Sequence, residues 1–434
     1  MKLELAPFQE KGRDFLASKK TALLADQQRL GKSAQVIRAA DKVGAKKILI
    51  VCPASVKITW LREFEKWAKV KRSIDIISGT DPKNISDKLD VTIINYDILW
   101  RHEIKMKLIK LKFGVIAIDE CHYLAGRQSN RTIAMLDTTD RTPILSRGVY
   151  RWFTSGTPIT SRPKEFYPIL AACAPSVINP YLSYRAYTRY FCGGYWDQKW
   201  IDKGATHTKE LNQRLKSFML RRTRKDVLGE MPLAYQMIPI RAKGKEIITY
   251  VAKELTWGRD DASFQKMDDE DEIATVRRKL GVYKIPAALQ HISYLLTVED
   301  KLVVFGYHRE VMKTLSEKVP NSVLVMGGMS GAAKQESIDK FKDDPNCKVF
   351  LGQITSAGVG IDLSSAKMIL FVESSWVPGE IDQAADRCSG FNQKEEVAVQ
   401  FMVIQDSLEE HMLRTVIEKK QNIEKIIETP SIFD

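Results

Sequence analysis

The chain has 434 residues, 44% of them hydrophobic and 28% charged, with 67 Lys and Arg against 54 Asp and Glu for a net charge of +13. That length exceeds one ordinary core and implies two or three domains. No apolar run reaches the roughly 20 residues that span a bilayer, and the opening Met1-Lys2-Leu3-Glu4-Leu5-Ala6-Pro7 lacks the apolar stretch of a secretory signal.

The basic surplus favours a polyanionic partner, because each neutralised phosphate releases a counterion. Many soluble proteins are basic without binding nucleic acid, so charge only supports this reading. Cys52, Cys121, Cys173, Cys192, Cys347 and Cys388 form no C-x-x-C pair. That argues against a zinc site or a disulfide framework and fits a reducing cytoplasm.

In chain order, short β-branched runs at 21–24, 47–52, 91–95, 114–118 and 152–154 read as strands. They alternate with amphipathic stretches, which is the habit of a parallel α/β sheet. A strand-poor region rich in aromatic and basic residues follows at about 163–227. A helical, charged region at about 245–288 holds the acidic cluster Asp268-Asp269-Glu270-Asp271-Glu272, read as a solvated loop. Strand signals resume at 302–305, 322–325, 348–351, 368–371 and 397–404. The expected fold class is α/β. It has two lobes with parallel sheets, residues 1–230 and 231–434, each carrying one of the helical regions as an insertion, with the boundary near Gly229–Tyr235.

After the first strand comes Ala25-Asp26-Gln27-Gln28-Arg29-Leu30-Gly31-Lys32-Ser33, then a helical run. Strand, loop, Gly-Lys-Ser, helix is the context of a phosphate-binding loop, in which backbone N–H groups face the phosphates. Lys32 is expected on the β- and γ-phosphates and Ser33 on magnesium. A glycine usually stands where Arg29 does, which restricts the torsions open to the loop. Gly-Lys-Ser alone also arises by chance. Its partner is Val115-Ile116-Ala117-Ile118-Asp119-Glu120-Cys121-His122, an apolar strand that delivers two carboxylates to the sheet's C-terminal edge. Asp119 is expected to hold magnesium and Glu120 to orient and deprotonate the attacking water. A buried strand ending in an acidic turn is the plain alternative, and it does not account for the order of the two motifs.

With these motifs placed, the chain resembles the Swi/Snf-like branch of superfamily-two helicases, over nearly its whole length and in the family's motif order. Ala6-Pro7-Phe8-Gln9 with Gly12 resembles the adenine-reading motif. Ile50-Val51-Cys52-Pro53-Ala54-Ser55 with Trp60, Glu63 and Trp67 resembles motif Ia, and Asn95-Tyr96-Asp97 the next DNA-contacting segment. Ser155-Gly156-Thr157-Pro158 resembles motif III. Phe218-Met219-Leu220-Arg221-Arg222-Thr223-Arg224-Lys225-Asp226-Val227 resembles a stretch that strand-separating relatives lack; its plain alternative is a basic helix on a solvated face. In the second half, Val303-Val304-Phe305 resembles motif IV and Thr355-Ser356-Ala357-Gly358-Val359-Gly360-Ile361-Asp362-Leu363 motif V. Trp376 with Gln383-Ala384-Ala385-Asp386-Arg387 resembles motif VI. Ser161-Arg162-Pro163, Glu165, Tyr190, Cys192 and Trp196 add a likeness to the annealing-helicase group, that of the HepA-related protein.

The resemblance implies two RecA-like lobes that close over ATP and Mg²⁺. It implies nucleotide contacts from Gln9, Arg29, Leu30, Gly31, Lys32, Ser33, Gly360, Asp362, Gln383 and Arg387, with Arg387 also serving catalysis beside Lys32, Asp119 and Glu120. DNA contacts are implied for Ser55, Tyr96, Thr157, Ser330, Thr355 and Ser356. The implied activity is ATP-driven movement on double-stranded or branched DNA in repair or recombination, with replication or repair proteins as candidate partners, no membrane, and a monomeric state. A bare motor core suggests a bacterial or bacteriophage protein acting in the cytoplasm of the cell or infected host.

The pattern departs in two places. Gln27 stands where the family has glutamate, and Gly390 with Asn392-Gln393 replaces a second arginine and Gly-Gln in motif VI. That arginine acts as a finger on the transferring phosphoryl group and is typically worth about 10³–10⁵ in rate. Arg387 or Lys394 would have to replace it, or hydrolysis is slow. Two rival functions stay open: a strand-separating DNA or RNA helicase, and a slow-hydrolysing, nucleotide-dependent DNA-binding module.

Overall fold

Strands that are apolar on both sides need cover on both faces, and parallel pairing with helical crossovers supplies it. In the structure, a computed structural model that describes residues 3–136, 142–228, 233–241, 270–356, 362–388, 397–405 and 407–427, this happens twice. The first sheet uses β1 (Thr21–Leu24), β2 (Ile48–Cys52), β3 (Ile74–Ile76), β4 (Val91–Asn95), β5 (Phe113–Asp119) and β6 (Gly148–Thr154). A small antiparallel hairpin of β7 (Tyr195–Asp197) and β8 (Lys199–Ile201) precedes β9 (Met219–Leu220), which returns to this sheet. The order is β3-β4-β2-β5-β6-β1-β9, all parallel, and every residue of β2 and β4 is buried.

The second sheet uses β10 (Leu233–Ile240), β11 (Leu302–Gly306), β12 (Ser322–Val325), β13 (Val349–Gln353), β14 (Met368–Phe371) and β15 (Val397–Ile404). Its order is β10-β15-β14-β11-β13-β12, again all parallel. Chain contacts divide the molecule into two units, Met1–Gly229 with Gln421–Asp434, and Glu230–Lys420.

Each expected strand is present, with ends moved by a few residues at most. Five others had too little signal. β3 and β9 are too short to show a period, β7 and β8 are half-exposed, and β10 contains Pro239. Proline removes a ladder donor and is tolerated because β10 lies at the sheet edge. The region at 163–227 is thus mostly helical but includes a hairpin and the short strand β9. Residues 242–269, most of the second expected insertion, lie outside the described residues. Of the acidic cluster, Glu270, Asp271 and Glu272 open the helix Glu270–Leu295 and are not a loop.

Three helices position the site in the first unit: α1 (Pro7–Ser18), α2 (Lys32–Lys42) and α3 (Lys57–Trp67). α3 turns Trp60 and Phe64 into the core, each 2% exposed.

In the second unit, Glu373 follows β14 and is 3% exposed. Its carboxylate accepts hydrogen bonds from the Tyr307 and His308 backbone N–H groups, both at 2.9 Å, and lies 2.6 Å from His308 Nδ1. Burial pushes this carboxyl up, but the His308 hydrogen bond and charge, with the charge of Lys284, outweigh it and hold Glu373 below its ordinary range. A depressed carboxylate contributes stability above the unfolded glutamate value, and that stability is lost as pH falls through the folded value. Acid titration of the melting temperature should therefore show a loss below the ordinary glutamate range that Glu373→Gln flattens. An unchanged acid limb in the variant would remove Glu373 from this role.

Candidate active site

The loop between β1 and α2 is built around two left-handed residues, Arg29 at φ 67° and Gly31 at φ 72°. Glycine adopts this conformation freely, whereas an L-residue such as Arg29 is strained by roughly 1–2 kcal/mol. Where the pattern usually carries glycine, the arginine has taken a glycine conformation. Gly31 is also the N-cap of α2 and offers no side-chain cap. The first N–H groups of α2 are thus left for an anion. A Cβ on Gly31 would come within 2.3 Å of Gln9 Nε2, which donates to the Leu30 carbonyl at 3.3 Å. Gln9 Oε1 accepts from Ala6 N–H at 3.0 Å, so Gln9 ties the start of α1 to the loop.

Lys32 curls back, its Nζ donating to the carbonyls of Asp26 at 2.8 Å and Gln27 at 3.3 Å. Burial lowers its ammonium from the ordinary lysine value, against the opposing pull of Glu120, Asp26 and Asp119. Ser33 is half-buried at the second position of α2, and Leu30 is fully buried.

β5 ends in Asp119, and Glu120 follows in the left-handed region at φ 51°. That backbone turn separates the two neighbouring carboxylates into different environments. Asp119 Oδ1 accepts from Thr154 Oγ1 at 2.7 Å and Glu120 N–H at 3.0 Å, and its Oδ2 accepts from Trp60 Nε1 at 2.8 Å. Glu120 Oε2 accepts from Ser155 Oγ at 3.0 Å and lies 3.3 Å from His122 Nδ1. Ser155 Oγ in turn accepts from Thr157 N–H at 3.1 Å. Burial and the charge of Glu120 raise Asp119 above the ordinary aspartate value. For Glu120 burial also pushes upward, but His122, Lys32 and Ser155 prevail and hold it below the ordinary glutamate value.

These donors suit magnesium. They are hard oxygens, and Asp119 Oδ2, planted by the single donor Trp60 Nε1, keeps acceptor capacity, which fits an ion held by one or two carboxylates and completed by phosphate and water.

The remaining predicted residues fall in different places. Tyr96, expected among the DNA contacts, is 1% exposed, and its hydroxyl donates to the Asp119 carbonyl at 2.6 Å. Its apolar ring is drawn into the core while its hydroxyl braces the Asp-Glu turn. Ser55 is exposed and Thr157 half-buried. In the second unit Ser330 is exposed and caps the helix Gly331–Asp343 through Ala333 N–H at 3.2 Å. Thr355 is exposed, and Ser356 Oγ donates to Gln353 Oε1 at 3.2 Å. Asp362 is exposed. Gln383 lies on the helix Pro378–Ala385 and Arg387 in the turn after it, each 7% exposed. Gly360, Gly390, Asn392, Gln393 and Lys394 lie outside the described residues.

Three supports escaped the sequence reading: Trp60 on Asp119, Tyr96 beneath the Asp-Glu turn, and Ser155 with His122 on Glu120. Their motifs were visible, but partners 59, 23 and 35 positions apart in the chain carry no local signal.

The SNF2-related domain family matches residues 8–280, and the helicase conserved C-terminal domain family matches residues 284–390. The chain is 29% identical over 432 residues to the Xenopus tropicalis SWI/SNF-related matrix-associated actin-dependent regulator of chromatin subfamily A-like protein 1, covering 96% of this chain and 44% of that protein. It is 26% identical over 447 residues to the Homo sapiens DNA annealing helicase and endonuclease ZRANB3, covering 97% and 40%. The chain thus spans less than half the length of these two relatives. A solved structure described as the Sulfolobus solfataricus SWI2/SNF2 ATPase core in complex with dsDNA aligns with 99% of this chain and 98% of its own, at 21% identity and a TM-score of 0.46. With two parallel α/β sheets, a phosphate loop facing an Asp-Glu pair, and a family match over more than half its length, the chain belongs to the SNF2-related family.

Proposed function

We infer that this motor moves along double-stranded DNA without full strand separation and acts on forked or reannealing substrates. The observation that carries this reading is the likeness, across 96–97% of the chain, to relatives that include an annealing helicase. Lys32 and the α2 N-terminus bind the β- and γ-phosphates. Glu120 accepts the proton of the water that attacks the γ-phosphorus as the bond to the bridging oxygen breaks and ADP leaves. Ser33 and Asp119 would hold magnesium, which would supply charge neutralisation on the phosphates. Arg387 stabilises the charge that develops on the phosphoryl group. Gly390, where the family carries a second arginine, favours the slow-hydrolysing binder as the second reading.

ATPase rates on duplex, single-stranded and forked DNA, paired with displacement of a triplex-forming strand, separate these readings. Stimulation by duplex and forked DNA with third-strand displacement is expected, and Arg387→Ala should abolish it. Separation of a tailed duplex would favour the strand-separating helicase, and no response to DNA would favour the binder.

A further inference from the structure

We propose that the Leu220-Arg221-Arg222-Thr223 stretch is an internal brace that shapes the nucleotide loop, with Arg222 a positioning residue and Asp26 its counter-charge. This rests on the reading of Gly31-Lys32-Ser33 as the ATP site.

β9 pairs with β1, and the ladder does not stop where the strands end. Ala25 N–H donates to the Leu220 carbonyl at 2.8 Å and Gln27 N–H to the Arg222 carbonyl at 2.9 Å. The first half of the phosphate loop is therefore held as a strand extension. Arg222 adds a fork: Nε donates to Asp26 Oδ1 at 2.9 Å and Nη2 to Asp26 Oδ2 at 2.5 Å, where Asp26 is fully buried. Nη2 also donates to Gln35 Oε1 at 2.8 Å, and Nη1 to the Phe8 carbonyl. Gln35, on the first turns of α2, passes the connection on through Nε2 to Asp26 Oδ2 and to the Leu30 carbonyl, both at 3.1 Å.

One guanidinium thus joins the start of the loop, the residue before Gly31, and helices α1 and α2. A planar fork does this and a lysine point charge cannot. Gly12 fits the same design by close approach: a Cβ there would sit 1.8 Å from Gln35 Oε1 and 2.7 Å from Arg222 Nη2. Arg221 extends the brace, its Nη1 donating to the Ala25 and Gly156 carbonyls, both at 2.7 Å, which joins the loop to the segment carrying Ser155 and Thr157. Gln27, the departure from the family's glutamate, still accepts from Arg224 N–H through Oε1 at 2.8 Å. The two arginines therefore face inward and do not form a solvated basic helix.

A brace that sets the resting shape of the loop acts on nucleotide binding and leaves the chemical step alone. Arg222→Lys keeps the charge and loses the fork. It should raise the KM for ATP and the Kd for a fluorescent ATP analogue with magnesium by about tenfold, with kcat within about twofold and the melting curve retained. Gln35→Ala, which cuts the tie to Leu30 and leaves the Arg222–Asp26 pair intact, should raise the same Kd in the same direction if Arg222→Lys does not fold. Wild-type analogue binding in a folded Arg222→Lys protein overturns the brace. So does a loss of duplex affinity with a salt slope reduced by roughly one, which would make Arg222 a phosphate contact. Lys32→Ala serves as the control for the site itself: if it binds the analogue normally, the ATP-site reading fails, whereas its failure to bind beside a normal Arg222→Lys variant sinks the brace alone.

Discussion

Glu120→Gln is expected to lower DNA-stimulated ATP turnover by about 10²–10⁴-fold while nucleotide binding persists. The size follows from the role: a positioned base contributes in the transition state and little to the ground state, so kcat falls and KM holds. The structure adds why glutamine cannot substitute. Glu120 Oε2 is the shared acceptor of Ser155 Oγ at 3.0 Å and His122 Nδ1 at 3.3 Å, and its left-handed backbone sets it apart from Asp119. An amide oxygen preserves the shape of that cluster but has neither the charge nor the proton affinity. Turnover measured with saturating duplex DNA, beside binding of a fluorescent ATP analogue, checks this. Retained turnover would mean that another group takes the proton. Joint loss of binding would mean that Glu120 shapes the pocket and does not serve the reaction.

Lys284→Ala is expected to destabilise the second unit by about 3–5 kcal/mol, because it leaves a carboxylate largely buried and unpaired. Lys284 is fully buried on the helix Glu270–Leu295. Its Nζ donates to Glu409 Oε1 at 2.5 Å and to the Met402 carbonyl at 3.2 Å, joining that helix to β15 and to the helix Leu408–Ile427. Glu409 is committed elsewhere too, since its Oε2 accepts from Ile404 N–H at 3.3 Å. Denaturant unfolding gives the difference directly. Lys284→Met with Glu409→Gln should recover much of the loss, since no charge is then stranded and the acceptor is kept. A double variant no better than Lys284→Ala would show that the cost is packing and not charge.

The elements that carry the chemistry were legible because their signals are local. A strand followed by Gly31-Lys32-Ser33 and a helix, and an apolar strand ending in Asp119-Glu120, are spelled out within about ten residues each. Parallel sheets were legible for a similar reason, since unbroken apolar runs such as Ile48–Cys52 fit only a strand covered on both faces. Less was legible where a short segment borrows its conformation from a neighbour. Met219–Leu220 is a strand because β1 lies beside it, and Glu270-Asp271-Glu272 belongs to the helix that runs on to Leu295.

By itself, the sequence determined the fold class, the two nucleotide motifs and the family, since each depends on residue type and near-neighbour spacing. Tertiary structure alone decided what the supporting residues do. Tyr96 braces the Asp-Glu turn, Trp60 holds Asp119, and Arg222 faces Asp26 across 196 positions of chain. The physical reason is that a hydrogen bond selects its partner by position in space. Which donors reach a buried carboxylate is settled only when the sheets have brought distant segments together.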